Sequence, residues 1–335
     1  MKRWMITRIA AVCLAAFATA CGDGDTGVPG PSGGPLTKVT FMLDYTPNTN
    51  HSGIYLAKEK GWYRDAGIEI DIIQPAATGI EQAVAAGRAQ FAVSFQENVI
   101  PARAQGVPVV SVAAVIQHNT SSLLSLAADN IKRPRDLEGK TYGGYGGPLE
   151  TALVKKLVSC DGGNPEKVKF VELGEVDYLV GMEQGRFDFA WIFDGWDGVR
   201  ITEITKQDVN VLRFIDYAAC IPDWYTPIII TSEKVLKEDG DLARRFMAAT
   251  ARGYEYAIDH PSEAADALLK NAPETDATLA RASAAYLASR YADKGSKWGR
   301  QDERTWVRFE NFLREAKLTD KPVDVSQAFT NDLLP

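Results

Sequence analysis

The sequence predicts an α/β protein of two lobes with a ligand cleft between them and a helical C-terminal tail. Three observations lead there. Short β-rich runs alternate with single helix-like stretches from Val39 to Ser94, the same alternation restarts after Lys140, and the chain from Asp241 to Ala316 reads as almost wholly helical. Strands separated by single helices build βαβ units and a mostly parallel sheet with both faces covered. A tail without a strand series of its own has to pack on a lobe already built.

In the first series Val39-Thr40-Phe41-Met42-Leu43 is a strand and Ser52 to Arg64 a helix; Ile68 to Ile73 is the next strand, Gly79 to Ala86 the next helix, and Phe91 to Ser94 the third strand. Thr78 and Glu81 have the spacing of a capping box on that second helix. The second series runs strand Thr141 to Gly143, helix Leu149 to Val158, strand Val168 to Glu172, helix Tyr178 to Gln184 and strand Phe187 to Phe193. The return near Ile228-Ile229-Ile230 leads into the helices, which Pro261, Pro273 and the stretch from Asp293 to Gly299 punctuate. The expected division is therefore residues 38–125 plus 226–335 in lobe 1 and 126–225 in lobe 2. Open parallel sheets bind ligands at the carboxyl ends of their strands, and here two such edges face each other.

Residues 1–20 read as a secretory signal: Lys2, Arg3 and Arg8, an apolar run too short to span a bilayer, and small residues up to Ala20. Cys21 at the cut resembles the bacterial lipobox, in which the thiol is lipidated, although Ala18 stands where Leu is usual. Residues 21–37 then give a lipidated cysteine and a Gly/Pro-rich spacer that cannot bury enough surface to fold. The Gly-x-Ser-x-Gly pattern at Gly30–Gly34 falls in this spacer, without the strand and helix of a nucleophile elbow. These features place the protein outside the cytoplasm, lipid-anchored to the cell membrane. Losing Lys2, Arg3 and Arg8 with the leader takes the formal net charge from −7 to −10, which disfavours nucleic acid as a partner. Cys13 leaves with the leader, so Cys160 and Cys220 remain, as a disulfide or as two separate buried thiols.

The unusual residues lie at the expected strand ends. Asp44-Tyr45-Thr46-Pro47-Asn48-Thr49-Asn50-His51-Ser52-Gly53, Ser94-Phe95-Gln96-Glu97-Asn98, Ile116-Gln117-His118-Asn119-Thr120-Ser121, Tyr142 to Glu150 and Asp188 to Trp196 follow in that order over most of Val39 to Thr231. Together these blocks resemble the pyrimidine-synthase-like family of solute-binding proteins of bacterial ABC importers, and most closely its thiamine-pyrimidine-binding lipoproteins. The resemblance implies a type II periplasmic-binding-protein-like fold. It also implies delivery of a formylaminopyrimidine-like thiamine precursor to ABC permease and ATPase subunits, with no cofactor. The sequence departs from the family pattern at Tyr45 (usually Trp), Phe95, Tyr145, Thr151 (usually a second Glu) and Asp194 (commonly aromatic).

A flat heteroaromatic ligand needs ring faces and a few edge partners. Tyr45, Phe95, Tyr145, Trp191, Trp196 and Tyr225 are the candidate rings. Glu97, Glu150 and Asp194 can accept from an amine, while Asn50, Gln96 and Gln117 can donate and accept. Gly146 lets backbone approach the ligand at a helix start, where Glu150 also favours the helix dipole without any ligand. His51 completes the candidate set; neither it nor His118 has a partner at metal spacing, and no metal is expected. Riboflavin or another small heteroaromatic is the alternative cargo. Sulfonate or nitrate, carried by neighbouring branches, would need Arg or Lys in edge loops that instead hold Asp44, Glu97, Glu150 and Asp194. An enzymatic role is the remote alternative. The eukaryotic synthases of the resembled family carry a Cys-Cys-Cys-Phe-Cys stretch, which this chain lacks.

Overall fold

The computed structural model describes residues 35–75, 79–174 and 176–335. The expected signal segment 1–20, Cys21, the spacer up to residue 34, and Thr78 lie outside the described residues. Among the described residues no helix is long and apolar enough to cross a membrane.

Lobe 1 is built on β1 (Thr37–Met42), β2 (Ile68–Ile73), β3 (Phe91–Ser94) and β4 (Val109–Ala114). The first helix-like stretch divides into α1 (Ser52–Glu59) and α2 (Trp62–Asp65), because Gly61 between them takes a left-handed φ of 76° that ends α1. After α3 (Ile80–Ala85) and α4 (Gln96–Ala104) the chain crosses to lobe 2. Lobe 2 holds β5 (Ser121–Leu126), β6 (Thr141–Gly144), α5 (Pro148–Cys160), β7 (Lys169–Glu172), α6 (Tyr178–Glu183), β8 (Phe189–Phe193) and β9 (Val209–Arg213). The return strand β10 (Ile228–Ser232) precedes α7 (Glu233–Glu238), α8 (Gly240–Asp259), α9 (Pro261–Asn271), α10 (Ala277–Ala288) and α11 (Glu303–Glu315).

The two sheets run β2-β1-β3-β10-β4 and β7-β6-β8-β5-β9. Both are mixed: four strands of each run in one direction, as expected of mostly parallel sheets, and one is reversed. β10 pairs antiparallel with β3 and β4, and β5 pairs antiparallel with β8 and β9. These are the two strands that enter a lobe from a crossover: each starts at the cleft edge and runs away from it, whereas its neighbours end there. β5 also moves residues 121–125, expected in lobe 1, into the sheet of lobe 2, so the first crossover is residues 115–120. β4, β5 and β9 are buried or mixed runs without clean alternation and went unassigned in the sequence.

On one face of the first sheet α1 and α8 pack together, and the buried α8 positions Ala243, Phe246, Met247, Thr250, Ala251, Tyr254 and Ala257 follow helical spacing. Phe246 stacks on Phe91 with ring centroids 4.1 Å apart. A second cluster covers the opposite face and continues through Trp224 and the α11 residues Phe309 and Leu313 to Leu153 and Leu157 of α5. A third, with Leu124, Met182, Phe187 and Ile192, closes the far face of lobe 2. Cys160 and Cys220 form a disulfide, Cα atoms 5.9 Å apart, which ties the end of α5 to the second crossover.

Candidate functional site in the cleft

The lobe 1 wall of the cleft is the loop after β1, held rigidly by the helical tail. Tyr291 and Tyr254 donate their hydroxyls to the carbonyls of Thr49 (2.6 Å) and Asn50 (2.7 Å). Gly53 is obligatory here, since a Cβ would lie 2.3 Å from the Tyr254 ring. His51 is fully buried. Its Nδ1 accepts from the Asn48 amide at 3.2 Å and its Nε2–H donates to Asp44 at 2.6 Å. Both nitrogens are thus taken up inside the loop, and His51 is not placed to meet a ligand. Tyr45 is 46 % exposed on the same loop, and Asn50 lines the cleft.

The next strand end divides its candidates between cleft and hinge. Phe95 is half-buried at the start of α4. Gln96 is fully buried: its Oε1 accepts from the Tyr225 amide at 2.8 Å, and its Nε2 finds no partner among the described residues. Glu97 accepts from Trp224 Nε1 (3.0 Å) and the Thr226 hydroxyl (3.2 Å). Burial pushes its carboxyl up to about 7 against those hydrogen bonds. Tyr225 is core, and its oxygen accepts from the Asp302 amide at 2.8 Å at the start of α11. Gln117 donates to the Arg300 carbonyl at 3.3 Å. Gln96, Glu97, Gln117 and Tyr225, all expected to meet ligand, therefore bind the crossovers to lobe 1. His118 belongs to the same girdle, bridging Asp223 (2.6 Å) and Asp293 (3.3 Å), and the Asp223 hydrogen bond raises its pKa.

In lobe 2 the loop after β6 carries Tyr145, 55 % exposed, and Gly146 at a φ of 78°. Glu150 serves this loop: it accepts from the Tyr142 hydroxyl (3.0 Å) and from the amides of Tyr145 (3.2 Å) and Gly147 (2.9 Å). The capping reading of Glu150 accounts for both of its oxygens. With Gly146 and Glu172 it lines a cavity of about 170 Å³ at the ends of β6 and β7. The expected capping box of Thr78 and Glu81 involves Thr78, outside the described residues; α3 starts after the N-cap Gly79, and Glu81 accepts from Ser94. Trp191 is half-buried among Phe214 (5.0 Å) and Trp224 (6.1 Å), both edge-on, as a core residue. After β8 the chain forms a π-helical turn, Asp194–Gly198. Trp196 faces the cleft. Asp194 turns instead into a crevice of about 90 Å³ with Arg213 and Tyr286, and burial pushes its carboxyl up to about 6.

The loops of both lobes and both crossovers meet around one narrow space, lined by Asn48, Thr49, Asn50, Ile116, Thr120, Phe193, Gly195, Trp196, Thr226, Pro227 and Leu287. Among the described residues no Arg, Lys or acidic side chain is in that lining, and its free volume is about 10 Å³, room for no more than one water. Cargo of any size requires the lobes to part. Sequence reasoning missed Thr120, Phe193 and Thr226, and above all Leu287: nothing in a helical repeat of Ala and Leu signals that the tail reaches the cleft.

A family model described as NMT1/THI5 like matches residues 48–264. The chain is 29 % identical over 307 residues to the formylaminopyrimidine-binding protein of Halalkalibacterium halodurans, covering 88 % of this chain and 90 % of that one. It is 30 % identical over 349 residues to the riboflavin-binding protein RibY of Chloroflexus aurantiacus, at 99 % and 96 % coverage. A 4-amino-5-hydroxymethyl-2-methylpyrimidine phosphate synthase of Legionella pneumophila is 24 % identical over 300 residues, at 89 % and 93 % coverage. Among solved structures, the periplasmic aliphatic sulphonate binding protein SsuA of Escherichia coli superposes with a TM-score of 0.67 at 17 % identity, covering 87 % of this chain and 91 % of that one. That likeness establishes the periplasmic-binding-protein fold.

Proposed function

The chain belongs to the NMT1/THI5-like family, and from that premise we propose that it is the substrate-binding lipoprotein of an ABC importer whose cargo is a thiamine-precursor aminopyrimidine such as the formylaminopyrimidine. The observation that carries the reading is the cleft itself. Aromatic groups and neutral amides from the ends of both sheets converge on it, and its lining holds no fixed positive charge. A fixed cation in the wall would favour an alkanesulfonate, whereas a neutral ring needs faces and directional partners. Phe193 and Trp196 give the cleft wall two rings and Asn50 an amide for a ring edge, while Tyr45 and Tyr145 are partly exposed on loops of opposite lobes near its mouth. The identity to a formylaminopyrimidine-binding protein along most of both chains supports the cargo, and the leader with Cys21 supports the extracytoplasmic anchor.

Riboflavin is the second reading, favoured by the identity to RibY over nearly the whole chain. A flavin presents carbonyls and a ring N–H where the aminopyrimidine presents an exocyclic amine. The synthase reading is disfavoured by the cysteines, since Cys160 and Cys220 are joined to each other and no cysteine-rich stretch is present. Native mass spectrometry of gently purified protein tests the proposal. An adduct with the mass of an aminopyrimidine supports it, and a flavin mass moves the cargo to the second reading.

A further inference from the structure

The closed cleft is fastened by side chains of α10. Ser283 is fully buried, and its hydroxyl donates to the carbonyl of Gly195 in lobe 2. Its single hydrogen is thereby engaged, so the Thr49 hydroxyl, in lobe 1, donates to the Ser283 oxygen. One turn further along α10, Leu287 lies against Gly195 so closely that a Cβ there would sit 2.6 Å from Leu287 Cδ2. Any side chain at Gly195 would force Leu287 to shift before the π-helical turn after β8 could seat on this Ser–Leu pair. The lobe 1 side of the contact cannot yield easily, because Tyr291 and Tyr254 pin the carbonyls of Thr49 and Asn50. Ser283 and Leu287 also lie beyond the family-matched residues 48–264.

We propose that Ser283 and Leu287 latch lobe 2 onto lobe 1 through Gly195, and that the latched state competes with cargo for the cleft. Thr49, Gly195 and Leu287 are themselves walls of the remaining space, which has a free volume of about 10 Å³. A ring can enter only when Gly195 parts from Leu287, so a population held shut lowers apparent affinity by the fraction that is open. Ser283 acts as a positioning residue, through the turn it holds. The competition rests on reading the cleft as the cargo site; the latch does not.

Small-angle scattering of the cargo-free protein separates the two. Ser283→Ala and Gly195→Ala are each expected to enlarge the radius of gyration while thermal unfolding stays near that of the parent, because the folded lobes are unchanged. Titration with the formylated aminopyrimidine is expected to show association faster and binding tighter by about two- to tenfold, the scale of one net hydrogen bond. Scattering identical to the parent in both variants overturns the latch. Opened variants that bind the pyrimidine no faster than the parent overturn the competition. Opened variants with no pyrimidine binding by any form uphold the latch and reject the cargo.

Discussion

Glu97 accepts the indole N–H of Trp224 at 3.0 Å across 127 residues of chain. That bond joins the first turn of α4 to the second crossover, where Trp224 also stacks on Phe309 of α11 with ring centroids 4.9 Å apart. A residue expected to meet ligand is instead a rivet of the hinge.

The protonation of Glu97 gives this rivet a pH dependence. Its folded pKa, about 7, lies above the ordinary value of 4.5 because burial disfavours the ionised form. The folded state therefore holds a proton that the unfolded chain releases, and stability falls as pH rises from about 4.5 to about 7. His118 acts in the same sense: its raised pKa gives stability present below the ordinary value of 6.5 and lost above it. Glu97→Gln is expected to flatten the slope of melting temperature between pH 4.5 and 7. A slope equal to the parent's would place the titration elsewhere.

The Cys160–Cys220 bridge spans a sequence separation of 60 and anchors the second crossover to α5. Replacing both cysteines by serine is expected to cost about 2–4 kcal/mol, read from urea unfolding. Unchanged unfolding midpoints in the oxidised parent and the double variant would contradict a structural bridge.

The division into two α/β units and a helical tail was legible because single helices separate the strands and the hydrophobic period changes with each. The two antiparallel strands were not. Ser121–Leu126 and Ile228–Ser232 carry no local mark of direction, which follows only from where a crossover delivers the chain. In the site, the Asp, Thr, Gly and Pro around Tyr45 and Tyr145 form loops, and both rings are exposed there; such composition marks a loop. It could not separate ligand-facing polar groups from those holding the scaffold. His51, Gln96, Glu97 and Glu150 sit at strand ends as a ligand partner would, yet their bonds go to Asp44, Tyr225, Trp224 and the loop of residues 145–147.

Tyr45 and Tyr145 are exposed on the loops after β1 and β6. Tyr45→Ala and Tyr145→Ala are each expected to weaken aminopyrimidine binding by about tenfold, combining a lost stack with lost burial, while melting stays near that of the parent. Isothermal calorimetry checks the affinity. Parent-like affinity in both variants would move the ring site away from these loops.

The proposed lipid anchor is Cys21, outside the described residues. Cys21→Ser is expected to abolish lipid labelling and to release soluble protein or leave unprocessed precursor. A variant that stays membrane-bound with a normally cut N-terminus would refute the lipoprotein assignment.

A neutral aminopyrimidine is the proposed cargo, and competitive titration separates it from the alternatives. The formylated aminopyrimidine, its deaminated analogue, riboflavin and an alkanesulfonate are each titrated into the same preparation. Tightest binding is expected for the aminopyrimidine, with a loss of about 1–3 kcal/mol for the deaminated analogue, which leaves a cleft acceptor such as the Asn50 amide oxygen unpaired, and no measurable binding of the sulfonate. Tighter binding of riboflavin or of the sulfonate than of the aminopyrimidine would contradict it.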